Sequence, residues 1–375
     1  MNWRIRIPIG GDNRLKLVDY AFIFYFTAQI WNVLFFRMFA LLGIGSYASA
    51  VLLTFITVLI VLAVLSTNTR KWKGCIAFYA FILLVFLISY ILTPELGAWY
   101  TNENWGLAYR VFRIDRGIYA YLVIKLVEDP KRIMRNLNIV AILMGLYLLA
   151  QTYQRIRTGY FIVTANDGVS QTTSADNMSY GYNCAFVALI FFAQYRKNKK
   201  KTFLIVGILF SLLSVLYGSR GCLIVLGAYF IIAQYFKLRE EKSAKKVILA
   251  LSFVVLIAIL YVFYDALILL VSNITAHFGI HSDTITSLLN NSISDANGRD
   301  RIWAAVSDQI KDTFPLGKGA FGDRLAAGKI FLWGYSHNIF LEMTASFGVI
   351  GVIALLAWIV QSGRILITNE NEEWR

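Results

Sequence analysis

The sequence predicts an all-α protein that crosses a membrane many times. Only 15% of its 375 residues are charged and 58% are hydrophobic, whereas soluble domains are about 25% charged. The mean hydropathy is +0.60, and long apolar runs recur from residue 17 to residue 360. Because these runs are continuous and do not alternate with polar residues, they favour membrane helices over a transmembrane β-barrel.

Ten membrane helices account for the apolar runs, since about 20 apolar residues are enough to cross the hydrocarbon core of a bilayer. Their ends are placed where polar, charged or turn-forming residues interrupt the run. In chain order, the predicted helices are residues 17–36, 40–65, 74–93, 108–127, 136–156, 179–195, 202–218, 221–236, 247–270 and 337–361.

The connections between these helices alternate in charge. The N-terminal segment and four of the connections each carry three to five Lys or Arg residues, while the intervening ones are poor in both. Basic connections remain on the cytoplasmic side, so we expect a cytoplasmic N-terminus and external alternate connections. The same basic loops account for the net charge of +14 without a nucleic acid partner.

This topology divides the chain into three predicted parts. Residues 1–270 form a transmembrane bundle of about nine helices, and residues 271–336 form an external helical segment. Residues 337–375 contain the last membrane helix and a cytoplasmic tail. An external insertion of this size in a compact membrane protein usually has a functional role.

The external segment contains a predicted helix and a predicted turn. The stretch ANGRDRIWAAVSDQIKDTF indicates a helix that begins near Asn297 or Gly298. Its apolar stripe suits it to lie on the membrane surface or on the helical bundle. That stripe consists of Ile302, Trp303, Val306 and Ile310. The following PLGKGAFG stretch, with one proline and three glycines, is typical of a turn that ends a helix.

Four side chains on the predicted external side can carry chemistry. Arg220 lies in a GSRG turn, and Arg299 and Arg301 lie in GRDRIW. Ser336 is the predicted N-cap of the last helix, which places His337 at its first position. Arginine forks bind phosphate oxygens, and the helix N-terminus favours a neutral imidazole that can act as a base. The set fits attack of a hydroxyl on a phosphate-activated carbon, with no metal or other cofactor expected.

Structural roles for the same residues stay open at this stage. An arginine at the tip of a hairpin can anchor at lipid headgroups. Arg299 and Arg301 can be solvated charges on a surface helix, and a histidine at the start of a helix can be structural. The three cysteines have no metal-ligand spacing, so no zinc site is predicted.

The predicted fourth helix carries a second group of charges. Arginines recur every three residues in GLAYRVFRIDRGIYAYLV, and residues three apart share a helix face. Arg113 or Arg116 could therefore meet phosphate at the external end of this helix. Alternatively, Asp115 pairs with an arginine of a neighbouring helix in a structural role.

Aromatic residues are abundant in the predicted external regions. Their rings could stack on sugars, or they could belong to the aromatic belt that membrane proteins place at the bilayer surface. They are Trp99, Tyr100, Trp105, Trp303, Trp333 and Tyr335.

Several motifs together resemble the O-antigen ligase and O-antigen polymerase superfamily. That superfamily shows a glycine-arginine pair, a tryptophan four residues after the arginine, a Pro-x-Gly-x-Gly turn, and His-Asn opening a helix that contains Gly-x-x-Gly. The corresponding residues here are Gly298-Arg299, Trp303, Pro315 to Gly319, His337-Asn338, and Gly348 with Gly351. GSRG at the end of a membrane helix adds to the resemblance, which covers roughly residues 200–360.

The resemblance implies a fold and an activity. The implied fold is a helical bundle of the GT-C type in a bacterial cytoplasmic (inner) membrane, with the site facing outside. Members transfer a glycan from an undecaprenyl-diphosphate carrier to an acceptor. By position, Arg220 and Arg299 are expected to contact the donor diphosphate and His337 to activate the acceptor hydroxyl. Arg301, Arg113, Arg116, Asn338 and Tyr335 are expected to help bind diphosphate or glycan.

We expect the chain to be a polymerase of lipid-linked repeat units. The first alternative is a ligase that moves the finished glycan to a lipid or protein acceptor. A different class is a transporter of lipid-linked sugars, although its paired interrupted helices in two similar halves are not seen in the sequence. The expected partners are a lipid-linked donor and acceptor, the bilayer, and a chain-length regulator and flippase of the same pathway.

Overall fold

A computed structural model describes most of the chain. The described residues are 15–68, 70–164, 171–174, 177–218, 220–240, 264–277, 285, 289, 299–332 and 334–368. The predicted ninth helix, residues 247–270, therefore lies largely outside the described residues, as do Asn297 and Gly298.

The described part is mainly helical, with one short antiparallel hairpin. The helices are α1 (Leu17–Phe26), α2 (Ala28–Leu41), α3 (Ala48–Leu65), α4 (Arg70–Leu92), α5 (Gly97–Tyr100), α6 (Leu107–Arg110), α7 (Gly117–Val127), α8 (Pro130–Thr158), α9 (Met178–Asn198), α10 (Lys201–Tyr217), α11 (Arg220–Glu240), α12 (Tyr264–His277), α13 (Arg299–Thr313), α14 (Arg324–Ile330) and α15 (Ile339–Thr368). Strands β1 (Phe161–Thr164) and β2 (Gln171–Ser174) pair with Phe161 opposite Ser174.

Five described helices are long and apolar enough to cross a membrane. They correspond to Gly45–Leu65, Trp72–Leu92, Pro130–Thr158, Gly221–Leu238 and Ile339–Ile365, and α1 with α2 forms a sixth if the bent pair counts as one span. Many of their large apolar side chains are exposed, as lipid-facing side chains must be. The chain is therefore a polytopic integral membrane protein.

The first predicted helix, residues 17–36, is not continuous. It breaks at Thr27, where α1 and α2 meet at a bend of 78°. The Thr27 hydroxyl donates to the carbonyl of Ile23 (2.6 Å) and accepts from the indole of Trp31 (2.8 Å). These bonds satisfy polar groups at the break, which is the usual way that a helix tolerates a sharp bend.

The fourth predicted helix, residues 108–127, is also wrong as a single element. Only α6 and α7 are helical, and residues 111–116 between them form a turn-rich connection. Arg113 binds both carboxylate oxygens of Asp115, at 2.6 and 2.7 Å. Arg116 donates through Nε to the carbonyl of Tyr109 (3.0 Å). The charges that marked this stretch therefore hold a non-helical connection together.

The chain divides into two compact units, and the boundary lies within α8. Unit 1 comprises residues 1–136 and 295–375, and unit 2 comprises residues 137–294. In unit 1 the buried carboxylate of Asp19 joins α1 to the start of α8. It accepts from Arg132 (2.8 Å), Arg135 (2.9 Å) and Asn136 (2.8 Å). This satisfied network accounts for a carboxylate with no solvent exposure.

The apolar stripe of α13 packs on protein within unit 1. Ile302 and Val306 are buried against Ala326 and Ala327 of α14 and Ala345 of α15. The sequence left open whether this helix lies on the membrane surface or on the helical bundle, and the structure shows it packed on the bundle. This packing sets the position of Arg299, the first residue of α13.

Helix α15 has a break at Gly348, where φ is 55° and ψ is −136°. The amide of Val349 donates to the carbonyl of Pro315 (2.9 Å), and not to a residue one turn back in its own helix. A Cβ built on Gly348 would lie 1.8 Å from that same carbonyl oxygen. Glycine is therefore required here both by its backbone angles and by the close approach of another backbone.

The PLGKGAFG turn fills this break. Because Val349 donates elsewhere, α15 leaves backbone carbonyls free, and amides of the turn bind them. Lys318 donates to Ala345 (2.9 Å) and Gly319 to Ser346 (2.7 Å). The hydroxyl of Ser89 in α4 accepts from the next amide of the turn, at 2.8 Å. The amides of the turn thus link the backbone of α15 to the Ser89 side chain of α4.

Candidate active site

The candidate site is built around His337, in the turn that precedes α15. The N-cap of α15 is Asn338, because its side-chain oxygen accepts from the amides of Phe340 (3.0 Å) and Leu341 (3.4 Å). The prediction of Ser336 as N-cap is therefore wrong. His337 lies one residue before the cap, with φ at 52°. Non-glycine residues rarely adopt such angles, and those that do concentrate at functional sites.

Two side chains hold the backbone just before His337. The carboxylate of Asp323 accepts from the amide of Ser336 (2.8 Å), and the indole of Trp303 donates to the carbonyl of Ser336 (2.7 Å). Ser336 and Asp323 are fully buried. The tryptophan of GRDRIW therefore positions the turn that carries His337, a role that its spacing in the sequence does not reveal.

The His337 ring lies against Tyr335 and within the field of Arg299. The ring centroids of Tyr335 and His337 are 3.7 Å apart. Partial desolvation lowers the pKa of His337, the positive charge of Arg299 lowers it further, and Asp323 opposes both. The ring is therefore neutral near pH 7, as a general base must be. The causes seen here are desolvation and Arg299, whereas the sequence prediction invoked the helix dipole.

This arrangement predicts how His337 titrates. We expect its pKa to lie below the ordinary value of 6.5, and to rise towards that value in Arg299→Gln. The pH dependence of modification by diethyl pyrocarbonate, which attacks the neutral ring, measures it once His277 and His281 are replaced by glutamine. A midpoint at or above 6.5, unchanged by Arg299→Gln, would show that Arg299 does not act on this ring.

Two further arginines lie in the same region of unit 1. The guanidinium of Arg324 lies 3.3 Å from the ring centroid of Phe321, and that of Arg110 lies 4.0 Å from the ring of Trp105. Burial is the main cause that lowers the pKa of each arginine, and Tyr335 interacts electrostatically with both. Sequence reasoning did not select either residue, because nothing near them in the sequence indicates that they meet Tyr335.

The other predicted residues have different surroundings. Arg301 is exposed on α13, and a residue two positions from Arg299 does not share its face. Arg113 and Arg116 are engaged by Asp115 and the Tyr109 carbonyl. Asp115 thus has a structural role, but its partners are arginines of its own connection and not the arginine of a neighbouring helix that the structural alternative predicted. Asn338 uses its side-chain oxygen as the cap of α15. The structure therefore brings together His337, Tyr335 and Arg299.

Arg220 belongs to unit 2 and is both the third residue of GSRG and the first residue of α11. The atoms of its side chain lie outside the described part. The glycines on either side are closely packed, since a Cβ would lie 2.1 Å from the carbonyl of Ser214 at Gly218 and 2.0 Å from the hydroxyl of Tyr182 at Gly221. Backbone packing therefore requires glycine at position 218, whereas at Gly221 the close atom is the end of the Tyr182 side chain.

In chemical terms, the unit 1 site offers an imidazole of lowered pKa within the electrostatic field of a guanidinium. The imidazole can accept a proton from a hydroxyl group, and the guanidinium can stabilise an anionic leaving group. Within the described residues, no group of three or more His, Cys, Asp or Glu side chains is placed to hold a metal ion.

Comparison with known families identifies one match. Residues 203–356 match the family model described as O-antigen ligase. The matched segment includes Arg220, Arg299, His337 and the break at Gly348, and it supports the superfamily resemblance of the sequence motifs. Neither a curated protein nor a solved structure matches the chain.

Proposed function

We propose that the protein is a membrane glycosyltransferase of the O-antigen ligase and O-antigen polymerase superfamily, a proposal supported by the match of residues 203–356 to the O-antigen ligase family model. It joins oligosaccharide repeat units carried on undecaprenyl diphosphate into a polysaccharide of the cell envelope. The observation that carries this proposal is the position of His337 in the strained turn before α15, stacked on Tyr335 and within the electrostatic field of Arg299, inside the matched segment.

The proposed reaction is a direct displacement at the anomeric carbon of the donor glycan. His337 takes the proton of the acceptor hydroxyl, whose oxygen forms a new bond to C1. The bond between C1 and the phosphate oxygen breaks, and undecaprenyl diphosphate leaves with the electron pair. Arg299 and Arg220 stabilise the charge on the departing diphosphate. One displacement inverts the configuration at C1, and the proposed steps use no metal or cofactor.

The remaining predicted residues have supporting roles in this proposal. Tyr335 orients the His337 ring by stacking, and Asn338 holds the start of α15 through its cap. Arg301 is an accessory phosphate contact at the exposed face of α13. Arg113 and Arg116 order the connection before α7, and direct contact with the diphosphate is the weaker of their two proposed roles.

The proposed setting is the bacterial cytoplasmic membrane, with a cytoplasmic N-terminus and the site on the outer face. A GT-C-type bundle of about ten membrane segments remains our proposal for the chain. The proposed parts are residues 1–270, the external residues 271–336 and residues 337–375. The alternation of basic connections supports the orientation. A chain-length regulator and a flippase are the proposed partners of the same pathway.

A ligase is the second candidate, and the description of the matched family fits it equally well. Ligase and polymerase would share His337 and both arginines, and they differ only in the acceptor. A transporter of lipid-linked sugars would need no proton acceptor, so the neutral histidine beside Arg299 argues against that class.

Reconstitution with lipid-linked repeat units as the only glycan separates these functions. A polymerase is expected to produce a ladder of products in steps of one repeat unit. Products only after addition of a separate lipid or protein acceptor would identify a ligase. Movement of the substrate across the bilayer without any new glycosidic bond would contradict both.

A further inference from the structure

Arg110 and Arg324 lack the partners that the other inward-facing arginines of unit 1 have. Arg113, Arg132 and Arg135 each bind a carboxylate at 2.6 to 2.9 Å. By contrast, Arg110 and Arg324 form no salt bridge and donate no side-chain hydrogen bond in the described part of the chain, and both Nε atoms are buried without a partner. A buried N–H group without an acceptor is costly, so these two Nε atoms point to a bound group.

Carboxylates lie near Arg324 without touching it. Asp323 and Glu342 both raise the pKa of Arg324, whereas Arg110 lowers it. Among the described residues, however, neither Asp323 nor Glu342 forms a salt bridge with Arg324 or Arg110. Asp323 is fully buried and committed to Ser336, while Glu342 is only partly buried and its carboxylate accepts no hydrogen bond from any described group. The guanidinium donors of Arg110 and Arg324 and the carboxylate acceptor of Glu342 therefore lie unpaired in the same region.

Aromatic rings surround these charges. Arg110 stacks on Trp105, Arg324 stacks on Phe321, and the ring of Trp99 lies 5.8 Å from Arg324. Tyr335 lies within electrostatic reach of both arginines and stacks on His337. A guanidinium stacked on a ring is held in orientation while its edge remains available to donate.

We propose that Arg110, Arg324, Glu342 and Tyr335, here called the Arg110–Arg324 cluster, bind a sugar of the glycan acceptor and hold its hydroxyl near His337. That this sugar belongs to the acceptor rests on the proposed function. A sugar hydroxyl donates and accepts at once, so it can accept from a guanidinium and donate to Glu342. Aromatic rings provide the flat apolar surface that the faces of a sugar need.

The balance of charge favours a sugar over a phosphate group. Two guanidinium groups are accompanied by two carboxylates, Asp323 and Glu342, so the region carries little net charge. A phosphate would have to approach Glu342 at close range, which costs free energy. Arg299 remains the proposed diphosphate contact.

Binding to the purified full-length protein tests this inference without turnover. The first probe is the repeat-unit oligosaccharide, released by mild acid from the carrier lipid of the organism that encodes the protein, and followed by saturation-transfer NMR. The second probe is inorganic pyrophosphate, followed by ³¹P NMR. We expect Arg324→Gln, Arg110→Gln and Glu342→Gln each to weaken oligosaccharide binding by about tenfold or more, and to leave pyrophosphate binding unchanged.

Lys329→Gln is the matched control, since Lys329 is an exposed cation on the same helix as Arg324. Arg324→Lys keeps the charge but removes the planar fork, so it reports on binding if the glutamine variant fails to fold. Oligosaccharide binding equal to that of the parent in folded variants would overturn the inference, as would loss of pyrophosphate binding instead. A protein that binds the sugar through the cluster and transfers no glycan would contradict the proposed function alone.

Discussion

Replacing His337 with alanine is expected to lower the rate of glycan transfer by about 10² to 10⁴, the range for loss of a general base. The ring is neutral because of desolvation and Arg299, so its removal leaves the acceptor hydroxyl without a proton acceptor. The thermal unfolding midpoint should not fall, because φ of 52° strains any residue with a side chain at this position. Initial rates of chain growth in proteoliposomes measure the effect.

His277→Ala is the control, since His277 is an exposed residue at the end of α12. The parent rate is also expected to fall as the pH drops through the pKa of His337, which lies below its ordinary value. Full activity of His337→Ala would remove the proposed base from the mechanism. A fall in rate matched by an equal loss of folded protein would assign His337 a structural role.

The second large effect is expected for Gly348→Ala. A Cβ at this position meets the carbonyl oxygen of Pro315 at 1.8 Å, and φ is +55°. The substitution therefore has to displace the PLGKGAFG turn, with a loss in unfolding free energy of about 3 kcal/mol or more. Thermal unfolding in detergent and the yield of folded protein measure it. Glycan transfer should be lost as well, since the same turn leads into α14 and Asp323.

Gly363→Ala is the matched control within the same helix, because its Cβ would meet nothing within 4 Å. It should be neutral or slightly stabilising, since alanine favours a helix over glycine. Equal unfolding midpoints for Gly348→Ala and Gly363→Ala would show that the break in α15 is not needed for the fold.

The sequence predicts membrane helices better than their interruptions. Continuous apolar runs require helices in lipid, and α3, α4, α8, α9, α10, α11 and α15 lie where such runs predict them. The break at Thr27 depends on hydrogen bonds to Ile23 and Trp31, which an apolar run does not reveal. The connection before α7 depends on the pairing of Arg113 with Asp115. Arginines spaced three residues apart also fit one face of a helix, so their spacing alone does not reveal the non-helical connection.

Part of the candidate site could be predicted in the same way. His337 and Arg299 belong to motifs with local signatures, and the structure brings them into each other's field. Arg110 and Arg324 both come within electrostatic reach of Tyr335 only because α6 and α14 belong to the same unit. Contacts between segments this far apart in the chain have no local pattern. The cap at Asn338 escaped prediction because serine and asparagine are about equally good N-caps.

The most direct test of the central claim is the release of the carrier by the purified chain alone. The protein is reconstituted with lipid-linked repeat units, and free undecaprenyl diphosphate is counted against new glycosidic bonds. The account predicts one carrier released for each bond formed, at a rate that falls at least about a hundredfold in His337→Ala. New bonds without carrier release, or carrier release that is equal in the parent and in His337→Ala, would contradict it.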